Sequence, residues 1–290
     1  MKNYILFILA AVSLSSCQEK DKNWQLTERV ELDGVNPIGI ASSPDGIWLS
    51  DGDHNRVVRI NKEGAVVQSL DELARPMHIS DNGWELLIPE YGNDQVLRGK
   101  ENVVKVVAVS DSLDAPAAAW THGTITAVAD FYNHRVLYSE NNVDWKPIGK
   151  KGKGEGEFDY PTDVQVTDDA IWVADAYNNR VQVFDKQGEF LRMIGVEQKM
   201  NAATGIYVSE SQMFVTDFEN DRVLVFDHQG VLQQEISEGI TKPTDVLLID
   251  ETLYIVNYRD SSMALYDLKE VNTSNSEEAH KDDHDDHDHE

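Results

Sequence analysis

Short runs of β-branched and aromatic residues alternate with turn residues along most of the chain. Ile47-Trp48-Leu49-Ser50, Val57-Val58-Arg59-Ile60 and Val66-Val67-Gln68-Ser69-Leu70 have the length and composition of strands, and Pro44-Asp45-Gly46 and Asn61-Lys62-Glu63-Gly64 supply the turns between them. No segment of the body sustains an apolar repeat of 3.6 residues, so the pattern predicts an all-β fold.

The strands recur in units. Six starts align: Pro37-Ile38-Gly39, Pro76-Met77-His78, Pro116-Ala117-Ala118, Pro161-Thr162-Asp163, Ala203-Thr204-Gly205 and Pro243-Thr244-Asp245. Fourteen residues after each start stands Asp51, Glu90, Asp130, Asp175, Asp217 or Asn257, and five further on come Arg56, Gln95, Arg135, Arg180, Arg222 and Ser262. Four short strands per unit, with unit lengths of 39 to 45 residues, predict a propeller blade, in which radial repetition leaves only short, protected sheet edges. Six units predict a six-bladed β-propeller over residues 24–269. Unit six runs out after a third strand at Met263–Asp267, while Trp24–Leu32 at the other end of the chain reads as a strand without a unit. The simplest closure makes that N-terminal strand the outer strand of the last blade.

The clearest unit runs from Tyr160-Pro161-Thr162-Asp163-Val164 through Ile171-Trp172-Val173-Ala174-Asp175 and Asn178-Asn179-Arg180 to Asp185. It resembles the NHL repeat, and Gly149–Phe158 before it resembles the Gly-rich turn that joins such repeats. The competing reading of that turn, a phosphate-cradling loop, lacks the Gly-Lys-Ser/Thr ending and a following helix. Unit two departs from the pattern with Glu90 and Gln95, unit five lacks the proline, and unit six has Asn257 and Ser262. Some NHL-type propellers are lyases of hydroxyglycine peptides that hold zinc through histidines after the repeat proline. The residues in that place here are Ile38, Met77, Ala117, Thr162 and Thr244, so the resemblance does not carry that histidine set. Lactonase-like propellers hold calcium, and no complete ligand set for it stands out.

The chain opens on Met1-Lys2, an apolar stretch from Tyr4 to Leu14, and Ser15-Ser16-Cys17. This predicts a removable export signal over residues 1–16, too short in its apolar part to be a permanent span. Leu14-Ser15-Ser16-Cys17 resembles the lipobox of bacterial lipoproteins, which implies that Cys17 becomes the acylated (palmitate-bearing) first residue of the mature protein. As the only cysteine, it leaves no disulfide to stabilise the fold. Residues 17–23 form a charged tether reaching about 20 Å. It resembles the surface-export tethers of Bacteroidota lipoproteins, with a neutral linker the alternative. The expected location is the outer membrane, on its periplasmic or cell-surface side.

The formal net charge is -27, from 52 acids and 25 bases. Residues from Val271 onward hold eight acids and one lysine, net -7, leaving -20 for the rest. Such a surface repels phosphate backbones, which excludes nucleic acid as a partner and opposes anionic lipid except through the acyl chain. Residues 270–290 have almost nothing apolar to bury and read as a disordered tail. Its His280, His284, His287 and His289 lie among carboxylates. Imidazoles with nearby carboxylates on a flexible chain suit zinc, copper or nickel, and a purely solvating acidic tail is the alternative.

Antiparallel strands put the turn before the first strand and the turn between the second and third on one face. The first turns bring His78, Thr162, Asp163, Thr204, Thr244 and Asp245 to the mouth of the channel, and the second bring Tyr91, Phe131, Tyr177, Phe218 and Tyr258 beside it. An acidic mouth with aromatics fits a cation, a glycan or a peptide. The bland alternative is that the threonines and aspartates cap strands and the aromatics pack between blades. His78, Asp163 and Asp245 fall in alternate blades, two, four and six, and could converge on a divalent metal. The missing histidine set of the NHL-type lyases favours a binding or interaction module over an enzyme. The alternatives are a metal-dependent hydrolase or lyase at the mouth, and a metal-capture lipoprotein docking to an outer-membrane transporter.

Overall fold

A computed structural model describes residues 22–100, 103–109 and 111–270. Cys17, the tether up to Asp21 and the tail histidines His280, His284, His287 and His289 lie outside the described residues. The propeller, Trp24–Leu268, forms a compact unit by itself.

Six four-stranded antiparallel sheets follow one another, one per sequence unit. Blade four is representative: Pro161–Val166, Ile171–Asp175, Arg180–Phe184 and Phe190–Ile194 run from innermost to outermost strand. The last blade pairs Pro243–Ile249, Thr252–Asn257 and Ser262–Glu270 with the N-terminal strand Lys22–Glu31 as its outer edge. The two ends of the chain therefore share a sheet, as the incomplete sixth unit predicts. The N-terminal strand starts at Lys22, slightly earlier than the apolar pattern suggests, and the third strand of blade six runs on to Glu270.

The core is divided in the same way. Each of six apolar clusters is shared by two neighbouring sheets; one joins Trp172, Val181 and Val183 of blade four to Ile206, Met213, Val215 and Leu224 of blade five. The cluster between blades six and one takes Val30 and Leu32 from the N-terminal segment, beside Ile40, Leu49 and Met263. Strands that are apolar on both faces are the consequence: all five residues of Ile171–Asp175 are buried.

The repeated Asp and Arg are structural. Asp175 accepts from the Asp159 amide, from Asn178 Nδ2, from Arg180 Nε at 2.8 Å and from Gln182 Nε2. Arg180 spends its other donors on the carbonyls of Lys153, Gly154 and Glu157, which holds the Gly-rich loop down. Equivalent ion pairs at 2.7–2.8 Å join Asp51 to Arg56, Asp130 to Arg135 and Asp217 to Arg222. Where the motif varies, neutral groups replace one or both partners: Gln95 stands in for the arginine and donates to Glu90, and in blade six Asn257 donates to Ser262 Oγ and the Gly239 carbonyl.

A second repeated device joins one blade to the next. The residue before each Arg adopts a left-handed conformation, as at Asn55, Asp94, His134, Asn179 and Asp221. Its side chain accepts the amide of the residue preceding the next blade's first strand: Arg75, Ala115, Tyr160, Ala202 and Lys242, at 2.8–3.1 Å. Between blades six and one, Ser261 is the left-handed residue and its hydroxyl donates to Asn36 Oδ1.

Candidate functional site

Register places the two sets of turns on one face. In blades two to six the residue that starts the repeat pairs with the acid or amide that ends the second strand: Pro76 with Glu90, Pro116 with Asp130, Pro161 with Asp175, Ala203 with Asp217, and Pro243 with Asn257. A register shift follows the start of the innermost strand in blades three to six, between Pro116 and Ala118, Pro161 and Asp163, Ala203 and Ile206, and Pro243 and Asp245. A bulge of this kind re-aims side chains, and in blades four and six it sits at the two aspartates.

His78, Asp163 and Asp245 come together on the ring axis. One ligating atom from each lies within 4.8 Å of the others, and all three residues are buried. Asp163 Oδ1 and Oδ2 accept the amides of Val164 and of Ile206 in blade five; Asp245 Oδ1 and Oδ2 accept those of Val246 and of Ile40 in blade one. Each carboxylate is thereby held by its own strand and by the next blade. His78 Nδ1 stands 3.4 Å from Asp245 Oδ2 and has no hydrogen-bond partner.

Electrostatics follows from this burial. Loss of solvent pushes the Asp163 carboxyl up to about 7; His78 and the Ile206 and Val164 amides oppose that rise, and Asp245 adds to it. Burial also works against a charge on His78, yet Asp245, with Asp163 behind it, holds the imidazole above its ordinary value. Both shifts have one origin, since two carboxylates in a dry site favour any bound positive charge. The group could hold a metal ion.

The threonines play another part. Thr162 Oγ1 donates to the Ala203 carbonyl and Thr244 Oγ1 to that of Pro37, while Thr204 Oγ1 lies within hydrogen-bond distance of Thr216 and of the Pro243 and Thr244 carbonyls. These hydroxyls stitch neighbouring innermost strands together around the axis.

Among the aromatics, Tyr91, Phe131 and Tyr177 belong to one continuous arc over blades two to four. Tyr132 and Tyr160, which the repeat alignment does not single out, complete it. Ring centroids are 5.7 Å apart for Tyr91 and Tyr132, 5.1 Å for Phe131 and Tyr132, 4.8 Å for Phe131 and Tyr160, and 4.8 Å for Tyr160 and Tyr177. Tyr132 is 46% exposed and Tyr177 64%. Arg75 stacks over Tyr91 and Lys151 over Tyr160. Tyr160 is fixed from below by its amide's bond to His134 Nδ1, whose imidazole lies below its ordinary value through burial and the nearby Lys151. Burial and the hydrogen bond to Tyr132 push the Tyr91 phenol up to about 12, so it stays neutral at physiological pH. Phe218 and Tyr258 stand apart from the arc: Phe218 lies under Lys242, and the Tyr258 hydroxyl donates to Asp53.

Residues 158–184 match the family profile of the NHL repeat. No curated protein matches the sequence. By structure, the chain is similar to a streptogramin B lyase at 16% identity, with 87% of this chain and 89% of that one covered and a TM-score of 0.64. It is similar to virginiamycin B lyase from Staphylococcus aureus at 15% identity, with 86% and 100% covered and a TM-score of 0.61. It is also similar to a gluconolactonase from Xanthomonas campestris at 14% identity, again with 86% and 100% covered and a TM-score of 0.67. At these identities the likeness is one of fold: a six-bladed β-propeller containing an NHL repeat.

Proposed function

We propose that this chain is a membrane-anchored binding module whose propeller face receives an extended polypeptide segment of a partner protein. The observation that carries the reading is the arc of Tyr91, Phe131, Tyr132, Tyr160 and Tyr177, five rings in contact on the face where the innermost strands begin. Tyrosine beside arginine is the composition of binding hot spots, which cluster in well-packed surroundings. These rings are already ordered by one another, so little side-chain entropy remains to be lost when a partner arrives. Acylated Cys17 would hold the module at the outer membrane, and the tail histidines would take up zinc, copper or nickel near it.

Display of a random peptide library against the full-length chain tests the face. A consensus peptide is expected on the wild type and a loss of its binding on a Tyr132→Ala/Tyr177→Ala variant, both positions being exposed enough for the fold to persist. Enrichment that is the same on both proteins would refute the reading, and selective binding to a glycan array with no peptide consensus would replace it.

The anchor has its own test. The full-length chain made in a bacterial host is expected to enter the detergent phase of a Triton X-114 separation, and Cys17→Ser to stay in the aqueous phase. Equal partition of the two would remove the lipid from the account.

A second reading is favoured by His78, Asp163 and Asp245: a metal-dependent hydrolase or lyase acting at the axis. The folds it resembles include lyases and a gluconolactonase.

A further inference from the structure

We propose that His78, Asp163 and Asp245 bind one divalent transition-metal ion, zinc by the character of the donors, on the axis of the propeller. This site is separate from the aromatic arc and from the tail, and its test does not depend on either.

Five observations converge. The first is the unpartnered Nδ1 of His78, in a residue only 5% exposed. A buried imidazole nitrogen without a partner costs free energy that a metal bond would recover. The second is charge: as ligands, two carboxylates and a neutral imidazole sum to -2, which a divalent ion cancels on displacing their protons, in a place where water cannot. The third is distance. Bonds of about 2.0–2.2 Å to a tetrahedral ion put ligand atoms about 3.3–3.6 Å apart. His78 Nδ1 and Asp245 Oδ2 are 3.4 Å apart, and the full set is within 4.8 Å.

The fourth observation is the outer support of the ligands. Each aspartate is fixed by two backbone amides from two different blades, which orients a carboxylate while leaving lone pairs for an ion. The fifth is the alternation around the ring. At the position of His78, Asp163 and Asp245, the odd blades carry Gly39, Ala118 and Gly205. A Cβ on Gly39 would stand 2.8 Å from His78 Cα, and one on Gly205 would stand 2.9 Å from Asp245 Cα and 2.4 Å from the Thr244 carbonyl oxygen. The two glycines thus let their strands come close to the backbone that carries His78 and Asp245.

The donor set selects the ion. Calcium and magnesium favour all-oxygen shells of six or more ligands, whereas one imidazole with two carboxylates suits zinc and its neighbours. Three protein ligands leave a fourth position for water or for an incoming group.

The experiment uses full-length chain in which His280, His284, His287 and His289 are all alanine, so that the tail does not contribute its own imidazoles. After chelator stripping, zinc loading and dialysis, elemental analysis is expected to find one zinc per chain and a raised melting temperature. His78→Ala in the same background should lower zinc affinity at least about tenfold and abolish the zinc-dependent rise, while melting like its parent in EDTA. No retained zinc in the tail variant, or a full equivalent retained by His78→Ala, would overturn the proposal. If His78→Ala does not fold, zinc-edge X-ray absorption of the tail variant decides. A shell containing one imidazole supports the site, and an all-oxygen shell refutes it.

Discussion

Deletion of residues 24–32 is expected to leave a chain with no cooperative unfolding transition. The N-terminal strand does more than cover an edge. The Leu32 amide donates to the Ser261 carbonyl, Thr27 Oγ1 to the Leu265 carbonyl, and Arg29 pairs with Asp260 at 2.8 Å, all in blade six. Trp24 meets Phe214 of blade five edge-on at 5.6 Å, exchanges two backbone hydrogen bonds with the Gln234 side chain and donates from its indole to Gln212. One segment therefore closes blade six and touches the sheets on both sides of it.

The magnitudes decide the outcome. Trp24, Val30 and Leu32 are each at most 6% exposed, and burying a large apolar side chain contributes about 1.5–3 kcal/mol. Three such residues approach the roughly 5–15 kcal/mol that holds a domain folded, before the ladder of hydrogen bonds is counted. Trp24→Ala alone is expected to cost about 3–5 kcal/mol in urea denaturation of the full-length chain. A truncated protein that still melts in one sharp transition near the wild-type temperature would show that five complete blades and an open sixth suffice.

How far the sequence reveals this molecule depends on which interactions repeat. Blades are legible because each must solve the same problem, a tight turn at Asp175 and its equivalents with an Arg or its substitute behind it. Closure is legible because unit six is short by the strand that Trp24–Leu32 can supply. The axial group is legible as spacing alone, since one blade lies between His78 and Asp163 and one between Asp163 and Asp245. That the three side chains meet, and that His78 is buried rather than solvated, depends on the close approach of neighbouring innermost strands, which the glycines of blades one and five permit. No single unit of the sequence contains that arrangement.

The aromatic face shows the opposite limit. Alignment on the repeat Asp finds Tyr91, Phe131, Phe218 and Tyr258 as equivalents, with Tyr177 shifted by one, yet only Tyr91, Phe131 and Tyr177 join. Tyr160 stands before the proline and Tyr132 one place after Phe131, at the offset that Tyr177 has from Asp175, and they are the rings that bridge blades two to four. Among the described residues Phe218 and Tyr258 have no aromatic neighbour of that kind and turn to Lys242 and Asp53 instead. Contacts between blades, unlike those within one, have no fixed spacing in the sequence. The left-handed residue four places after each repeat acid is the exception, because it carries the inter-blade bond in five successive blades and so leaves a regular trace.

Asp175→Ala is expected to be the most damaging single substitution among the repeated ion pairs, costing about 3–5 kcal/mol in urea denaturation. Asp175 is fully buried and the Arg180 side chain 7% exposed, so removing the carboxylate strands a guanidinium that cannot shed its charge. The pair need not be strongly favourable in itself. Burial pushes the Asp175 carboxyl upward in spite of its four donors, which means that ionisation inside the blade is costly and the partners offset it only in part. The loss arises from what is left behind: an unpaired cation, an unsatisfied Asp159 amide, and a Gly-rich loop no longer clamped through Arg180. Asp175→Asn, which can still accept the Asp159 amide, should cost less, in keeping with the neutral Asn257 that serves blade six. The exposed pair of His122 and Asp168, 45% and 90% open to solvent at 3.0 Å, supplies the contrast. Asp168→Ala should fall within about 0.5 kcal/mol of wild type. If Asp175→Ala proved equally mild, the repeated acid would be acting as a turn residue alone, and the clamp would have to lie in the backbone.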